Sequence, residues 1–171
     1  MPKRIRPALF ALLLSVLPLA VFAQGTQIAL GGMRQDSSAP IEIAADQLKL
    51  DQASGAATFT GNVVIGQGEL KLSAGEVVVE YLAGSDADGK ISRLIATGDV
   101  LLVTATEAAE AQSAVYSVAT GQIVLSGDVV LTQGANALSG QKVTINLSDG
   151  SALVEGRVTT TLQTGGSGKA P

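Results

Sequence analysis

Apolar and polar residues alternate along most of the chain between about residue 41 and residue 162. Segments such as Leu70-Lys71-Leu72 and Val143-Thr144-Ile145 repeat with a period of two. This period places successive side chains on opposite faces of an extended chain, so each segment predicts a strand with one buried face. The pattern therefore predicts an all-β protein.

Four glycines recur within these strand patterns, each followed by Asn, Asp or Arg and then by an apolar run. The intervals between them are 37, 29 and 29 residues. A fixed period indicates one supersecondary unit stacked on copies of itself. We therefore predict an open, solenoid-like stack of antiparallel strands built from four repeats of about 29 residues. Because a glycine inside a strand marks a bulge or bend, these four are predicted to be structural. They are Gly61, Gly98, Gly127 and Gly156.

One stretch, residues 106–114, has the composition of a helix, with several Ala and Glu residues. Its alignment with residues 132–143 places it as strand and turn instead. We expect the repeat to prevail over the local propensity.

The two ends of the chain differ in composition from the alternating region. Basic residues before an apolar run, and small residues at positions 21–23, predict a cleavable signal peptide over residues 1–23. The alternative is an uncleaved membrane anchor. Residues 24–40 and 164–171 are rich in Gly, Ser and Gln, so we expect a flexible lead-in and a flexible tail around a domain spanning residues 41–163.

Composition argues against several classes of function. Removal of residues 1–23 leaves 8 basic and 15 acidic residues, a net charge of −7, which disfavours nucleic acid as a partner. The chain contains no Cys and no His, so it offers no thiol or imidazole for catalysis or for metal binding. The acidic stretch at residues 86–89 lacks the further ligands of a calcium loop. We expect no enzyme activity, no cofactor and no metal.

The phrases around the glycines are similar to those of the OstA-like (LptA/OstA-like) domain family of bacterial lipopolysaccharide transport. The similarity covers roughly residues 41–162 and rests on an Ala-Asp-x-Leu-x-Leu opening at Ala45 and a Gly-Asn/Asp-Val centre at Gly61, Gly98 and Gly127. The resemblance implies an open β-jellyroll whose apolar interior holds lipid acyl chains. It also implies LptC-like inner-membrane and LptD-like outer-membrane partners, bound through edge strands, and head-to-tail self-association.

Positions for acyl chains follow from the direction in which the side chains face, because the family's interior is known as an apolar pattern. The candidate lipid-binding residues are Leu48, Leu50, Phe59, Val63, Ile65, Leu72, Val77, Val79, Leu94, Val100, Leu102, Tyr116, Leu125, Val129, Leu131, Val143, Ile145, Val154 and Val158. Each is open to the alternative that it belongs to an ordinary packed core. The candidate contacts for lipid phosphates are Lys49, Lys71, Lys142 and Arg157. The alternative for each of them is a surface charge that only keeps the protein soluble.

These observations predict a periplasmic, non-enzymatic carrier that binds lipopolysaccharide and links inner-membrane and outer-membrane complexes. One alternative within the family is an LptC-like subunit anchored in the membrane. An alternative from another class is a structural β-solenoid that polymerises without a lipid. The unpaired strand edges expected near residues 41–50 and 158–162 would serve pairing with other chains.

Overall fold

The computed structural model of this protein describes residues 26–82 and 89–163, most of which lie in β-strands. The predicted signal peptide, the predicted tail and residues 83–88 lie outside the described residues. Two 3-10 turns, Gly31–Met33 and Val118–Thr120, interrupt the strands. The strands are β1 (Thr26–Ala29), β2 (Glu42–Ala44), β3 (Gln47–Leu50), β4 (Ala57–Gln67), β5 (Leu70–Tyr81), β6 (Ile91–Val103), β7 (Glu107–Ser117), β8 (Gln122–Gln133), β9 (Asn136–Asn146), β10 (Ser151–Glu155) and β11 (Thr159–Thr161).

All neighbouring strands are antiparallel, and their order is β1-β10-β9-β8-β7-β6-β5-β4-β2. The six long strands β4 to β9 follow one another as hairpins. At one end of the sheet β3 pairs with the first half of β4 and β2 with its second half. At the other end, β11 pairs with the first half of β9 and β10 with its second half. Each long strand therefore contributes to two layers.

The division into two layers occurs at a corner in the middle of the long strands. The ladder between β8 and β9 shifts register between Ser126 and Val129, and equivalent shifts occur in the other long pairs. The four predicted glycines adopt φ of 78–84°, and the residue after each adopts φ of 44–48°. Two successive left-handed residues bend the strand, so that its halves enclose one apolar core. The prediction of an all-β, open jellyroll is confirmed.

We call the layer that contains β3, β10 and β1 the first layer, and the layer that contains β2 and β11 the second layer. No helix within residues 26–82 and 89–163 is both long and apolar enough to span a membrane.

The expectation of a flexible lead-in is wrong for residues 26–40. Strand β1 pairs with β10 along its whole length, and Leu30 and Met33 are among the most buried residues of the core. Since β1 and β2 stand at opposite ends of the strand order, residues 30–41 must run the length of the molecule. Local composition misled the prediction because the strand that pairs with β1, and the carbonyls that bind Leu30 and Gln35, lie far along the chain. It follows that β1, as well as β11, forms the edge at that end.

Residues 30–41, which we call the crossing segment, lie along the ends of the long strands, on the side away from the corners. In the first layer, the amides of Leu30 and Gln35 donate to the carbonyls of Gly150 and Leu147, at 2.6 and 2.9 Å. In the second layer, the side chain of Gln67 donates to the carbonyls of Ser37 and Ala39. The crossing segment is thus hydrogen-bonded to both layers.

Glu107 is the buried carboxylate that holds the beginning of this segment, at Gly32. It accepts hydrogen bonds from the Gly32 amide at 3.0 Å, from the hydroxyls of Thr104 and Thr106 at 2.7 Å, and from Gln133 at 2.9 Å. Burial acts to raise the pKa of Glu107, but these hydrogen bonds outweigh it and leave the pKa below its usual value of 4.5. The ionised carboxylate is therefore the form that the fold stabilises.

Glu107→Gln should destabilise the protein in a manner that depends on pH. At pH 7 we expect a loss of about 1–3 kcal/mol, because buried donors lose a charged acceptor. A depressed pKa in the folded state gives stability that is full above the unfolded pKa of about 4.5 and is lost as the pH falls. Urea unfolding of both proteins at neutral and acidic pH measures this, since all other carboxylates are shared. A difference that stays constant down to about pH 3 would contradict the role given to Glu107.

Gly127→Val should destabilise the fold by about 1–3 kcal/mol, because valine is strained at a φ of +84°. An added Cβ would also lie 2.8 Å from atoms of Gln112. Gly66→Val is the matched control: Gly66 lies in β4, its φ is not positive, and no atom lies within 4 Å of an added Cβ. Thermal unfolding should separate the two variants, and an equal or higher melting temperature for Gly127→Val would refute the corner.

Candidate functional site

The apolar residues predicted to face the interior do so, with two differences in exposure. Fifteen of the nineteen are buried, while Phe59 and Val158 pack against the core and remain partly accessible. Leu48 and Leu50 stand opposite Phe59 and Ala57 in the ladder, and so face the same side, yet they are 55% and 68% exposed. The reason is that β3 ends its layer, and no strand formed by residues 26–82 or 89–163 covers its outer side.

An apolar cavity lies between the two layers, near the end formed by β2 and β3. Its free volume is about 20 Å³, close to what one water molecule requires. The interior is therefore filled by its own side chains, and any acyl chain must move them apart. No charged residue lines this cavity. The lining residues are Ile41, Ile65, Gln67, Leu70, Leu72, Leu94, Ala96, Leu102, Ala114, Tyr116 and Ile123.

Two polar side chains, Gln67 and Tyr116, meet inside this apolar lining. The Tyr116 hydroxyl donates to the Gln67 side-chain oxygen at 2.9 Å, and both side chains are buried. Burial raises the pKa of Tyr116, and the hydrogen bond to Gln67 opposes that shift only in part, so the phenol is neutral at physiological pH. The Gln67 nitrogen donates to the carbonyls of Ser37 and Ala39, at 3.0 and 2.9 Å. The carboxamide is thereby fully hydrogen-bonded.

A larger depression of about 460 Å³ opens on the surface beside the crossing segment. It shares Ile41 and Gln67 with the inner cavity, so these two side chains separate the cavity from the surface. Most of the remaining lining is apolar, and Lys90 adds a positive charge. The other lining residues are Ser37, Ala39, Leu82, Gly89, Ile91, Val118 and Ala119.

The four candidate phosphate contacts are all exposed and none lines either cavity. Lys142 forms an ion pair with Glu155 at 3.1 Å. Exposed pairs of this kind contribute roughly 0–1 kcal/mol. Within the described parts of the chain, no group of three or more acidic, Cys or His residues is placed to hold a metal ion; positions 86–88 of the acidic stretch lie outside them.

Sequence reasoning missed Gln67 and Glu107, which are polar and buried in the described part of the chain. A signal was present for Gln67, because it continues the inward row of Val63 and Ile65 at the same spacing of two. A polar residue in an inward row indicates a buried hydrogen-bonding role. For Glu107 one partner, the Gly32 amide, lies in a segment that had been expected to be flexible.

Three comparisons relate this arrangement to known proteins. Residues 42–151 match the family model described as LptA/(LptD N-terminal domain) LPS transport protein. An uncharacterised protein of Rhizobium meliloti is 31% identical over 114 residues, which are 64% of this chain and 61% of that protein. The lipopolysaccharide export system protein LptA of Escherichia coli K12 is 45% identical over 49 residues, or 29% of this chain and 26% of LptA.

The fold has a counterpart among solved structures. The crystal structure of LptH from Pseudomonas aeruginosa, the LptA homologue of the lipopolysaccharide transport device, superimposes with a TM-score of 0.65 at 20% identity. The match covers 75% of this chain and 99% of LptH. At that identity the likeness shows the fold, while the family match extends over more than half of the sequence. The chain therefore belongs to the LptA/LptD N-terminal domain family of lipopolysaccharide transport proteins.

Proposed function

We propose that this protein is a periplasmic, non-enzymatic carrier of lipopolysaccharide that holds acyl chains between its two layers. The observation that carries the proposal is the interior itself: one apolar core shared by both layers, without a charged residue around the apolar cavity between them. The family's role in lipopolysaccharide transport, and the names of the relatives, support it.

Acyl-chain burial provides enough free energy for such binding. Each methylene group removed from water contributes about 0.8 kcal/mol, so a few inserted methylenes outweigh an exposed ion pair. An acidic protein is thereby able to bind an anionic glycolipid through its chains rather than its headgroup. Nothing in this scheme requires a bond to be made or broken, which is why we propose a carrier rather than an enzyme.

The filled interior also suits a scaffold that binds no lipid, since its free volume is about 20 Å³. Lipid extraction and mass spectrometry of the protein purified from a Gram-negative host distinguish the two functions. The carrier proposal expects co-purified lipid A acyl chains in amounts comparable to the protein. Protein that is free of lipid, and that also fails to bind added lipopolysaccharide, would favour the scaffold.

The two ends of the jellyroll suit contact with other chains. At one end β3 leaves Leu48 and Leu50 exposed, and at the other end β1 and β11 are edge strands. An apolar end and unpaired backbone groups favour strand addition by another jellyroll. We propose that inner- and outer-membrane partners with this fold, or further copies of the chain, bind there and extend the interior.

Leu48→Asp should weaken lipopolysaccharide binding about tenfold while the fold is kept, because this exposed leucine faces the interior. Val130→Asp is the matched control, since Val130 is 38% exposed but faces outward. Binding to monomeric protein, at concentrations below self-association, is the measurement. Equal effects of the two changes would contradict the assignment of faces.

The neighbouring buried position gives a stability control for the same assignment. Val129 is fully buried and Val130 is exposed, so Val129→Asp should destabilise the fold far more than Val130→Asp. Circular dichroism during thermal unfolding is sufficient for this comparison.

Proline in β11 should weaken end-to-end association and keep lipid binding by the isolated protein. Adjacent residues of a strand point their amides to opposite sides, so Thr160→Pro and Thr161→Pro together sample an outward donor and a donor to β9. Light scattering measures association, with a lipid-binding assay as the control. Unchanged association in both variants would remove β11 from the interface.

A further inference from the structure

Two residues separate the apolar cavity between the layers from the depression on the surface. Ile41 and Gln67 line both spaces, and Gln67 holds the carbonyls of Ser37 and Ala39 over the boundary. If the crossing segment moves away from Gln67, the depression and the cavity become one apolar channel that runs from the surface to the core. The boundary is thus a candidate entrance for acyl chains.

The other side of the interior does not offer such an entrance. The long strands are covalently continuous through the corners, and their ladders bond each layer from end to end. On the side of the strand ends, the crossing segment joins β1 of the first layer to β2 of the second. Because the core is filled, inserting an acyl chain requires the layers to separate, and separation on this side disrupts the bonds of the crossing segment.

The crossing segment buries Leu30 and Met33 in the core, but its hydrogen bonds to the second layer are few. They comprise the Gly32 amide on Glu107, the Glu69 amide on Gln35 at 3.3 Å, and the two bonds from Gln67. The fit at Gly32 is close, because an added Cβ would lie within 2.3 Å of the Thr106 hydroxyl. These contacts close the entrance in the absence of lipid, and the carbonyls of Ser37 and Ala39 are the acceptors that a ligand carbonyl would replace at Gln67.

We propose that acyl chains enter through the depression, that the crossing segment closes this entrance in the lipid-free protein, and that Gln67 then donates to carbonyl oxygens of the acyl linkages. The inference rests on the proposed function as a lipid carrier. It adds the entrance, the element that covers it and the polar group that recognises the linkage.

The chemistry of Gln67 explains why the linkage is recognised. Its two N–H groups point at two backbone carbonyls, and its oxygen is occupied by Tyr116. When the segment leaves, the two donors remain in an apolar environment and require new acceptors. The ester and amide carbonyls at the head of acyl chains are acceptors of the same kind as the backbone carbonyls they replace.

A reversible covalent lock tests the closure by the crossing segment. The Cβ of Ser37 lies 3.9 Å from the position of a Cβ at Gly121, which suits a disulfide, and the chain has no other cysteine. In the oxidised double variant Ser37→Cys/Gly121→Cys, the disulfide holds position 37 against position 121. Residues 38–41 are then fixed between this crosslink and strand β2, which pairs with β4. Its affinity for purified lipopolysaccharide should fall at least tenfold, and reductant should restore it.

Two outcomes overturn the closure in different ways. Equal binding by the oxidised and reduced double variant, with wild-type binding intact, refutes the closure and leaves the carrier function standing. Failure of the wild-type chain to bind lipopolysaccharide refutes both.

Hydrogen exchange provides a second measurement that needs no disulfide. Added lipopolysaccharide should speed exchange of the Gly32 and Gln35 amides, and unchanged protection in the lipid complex would also refute the closure.

Lipids that differ only in their linkage test the role of Gln67. The wild-type protein should prefer dipalmitoyl phosphatidic acid over its dialkyl ether analogue by about tenfold, because the ether lacks carbonyl acceptors. Gln67→Met, which keeps the length of the side chain without its N–H groups, should reduce this ratio to about one. Using the ratio cancels any general effect of the change on stability. No preference in the wild type, or the same preference in Gln67→Met, would refute the linkage contact.

Discussion

The pair of left-handed residues in the middle of the long strands is the constraint on which this structure depends. A glycine at φ near 80°, followed by Asn, Asp or Arg at φ near 45°, bends the chain without interrupting the strand. Such pairs lie in β4, β6 and β8, and the antiparallel partners β5, β7 and β9 follow the same bend at the register shifts of their ladders. Every long strand therefore belongs to two layers, and the inward rows on either side of the corner face each other. Without the corner, the same alternating sequence would form a flat sheet with one unburied apolar face.

The corner also makes the two sides of the molecule unequal. On the corner side the layers are joined by covalent bonds through each long strand. On the side of the strand ends they are joined by the crossing segment and by the burial of apolar surface. The proposed carrier needs an interior that is closed in water and opens to a lipid, and this inequality is why we place the entrance on the side of the strand ends. The buried polar groups Gln67 and Glu107 both lie on that side, where they hold the crossing segment.

Much of the fold was accessible from the sequence because its signals are local and repeated. The period of two located the strands, and the glycines located the corners. Alignment of the repeats predicted strand and turn for residues 106–114 in spite of their helical composition, and most of this stretch lies in β7. The misses have a common cause, which is dependence on distant partners. Residues 26–40 have a flexible composition, but β10, the turns near Leu147 and Glu107 order them. The exposure of Leu48 and Leu50 likewise depends on the absence of a strand beyond β3.

The central claim, that acyl chains lie between the two layers, is tested most directly by photocrosslinking. A benzoylphenylalanine at Tyr116, inside the apolar cavity, is compared with one at outward-facing Val130 after incubation with lipopolysaccharide. The account predicts a crosslinked lipid adduct at Tyr116 and little or none at Val130. Equal adducts at both positions, or adducts only at Val130, would contradict it.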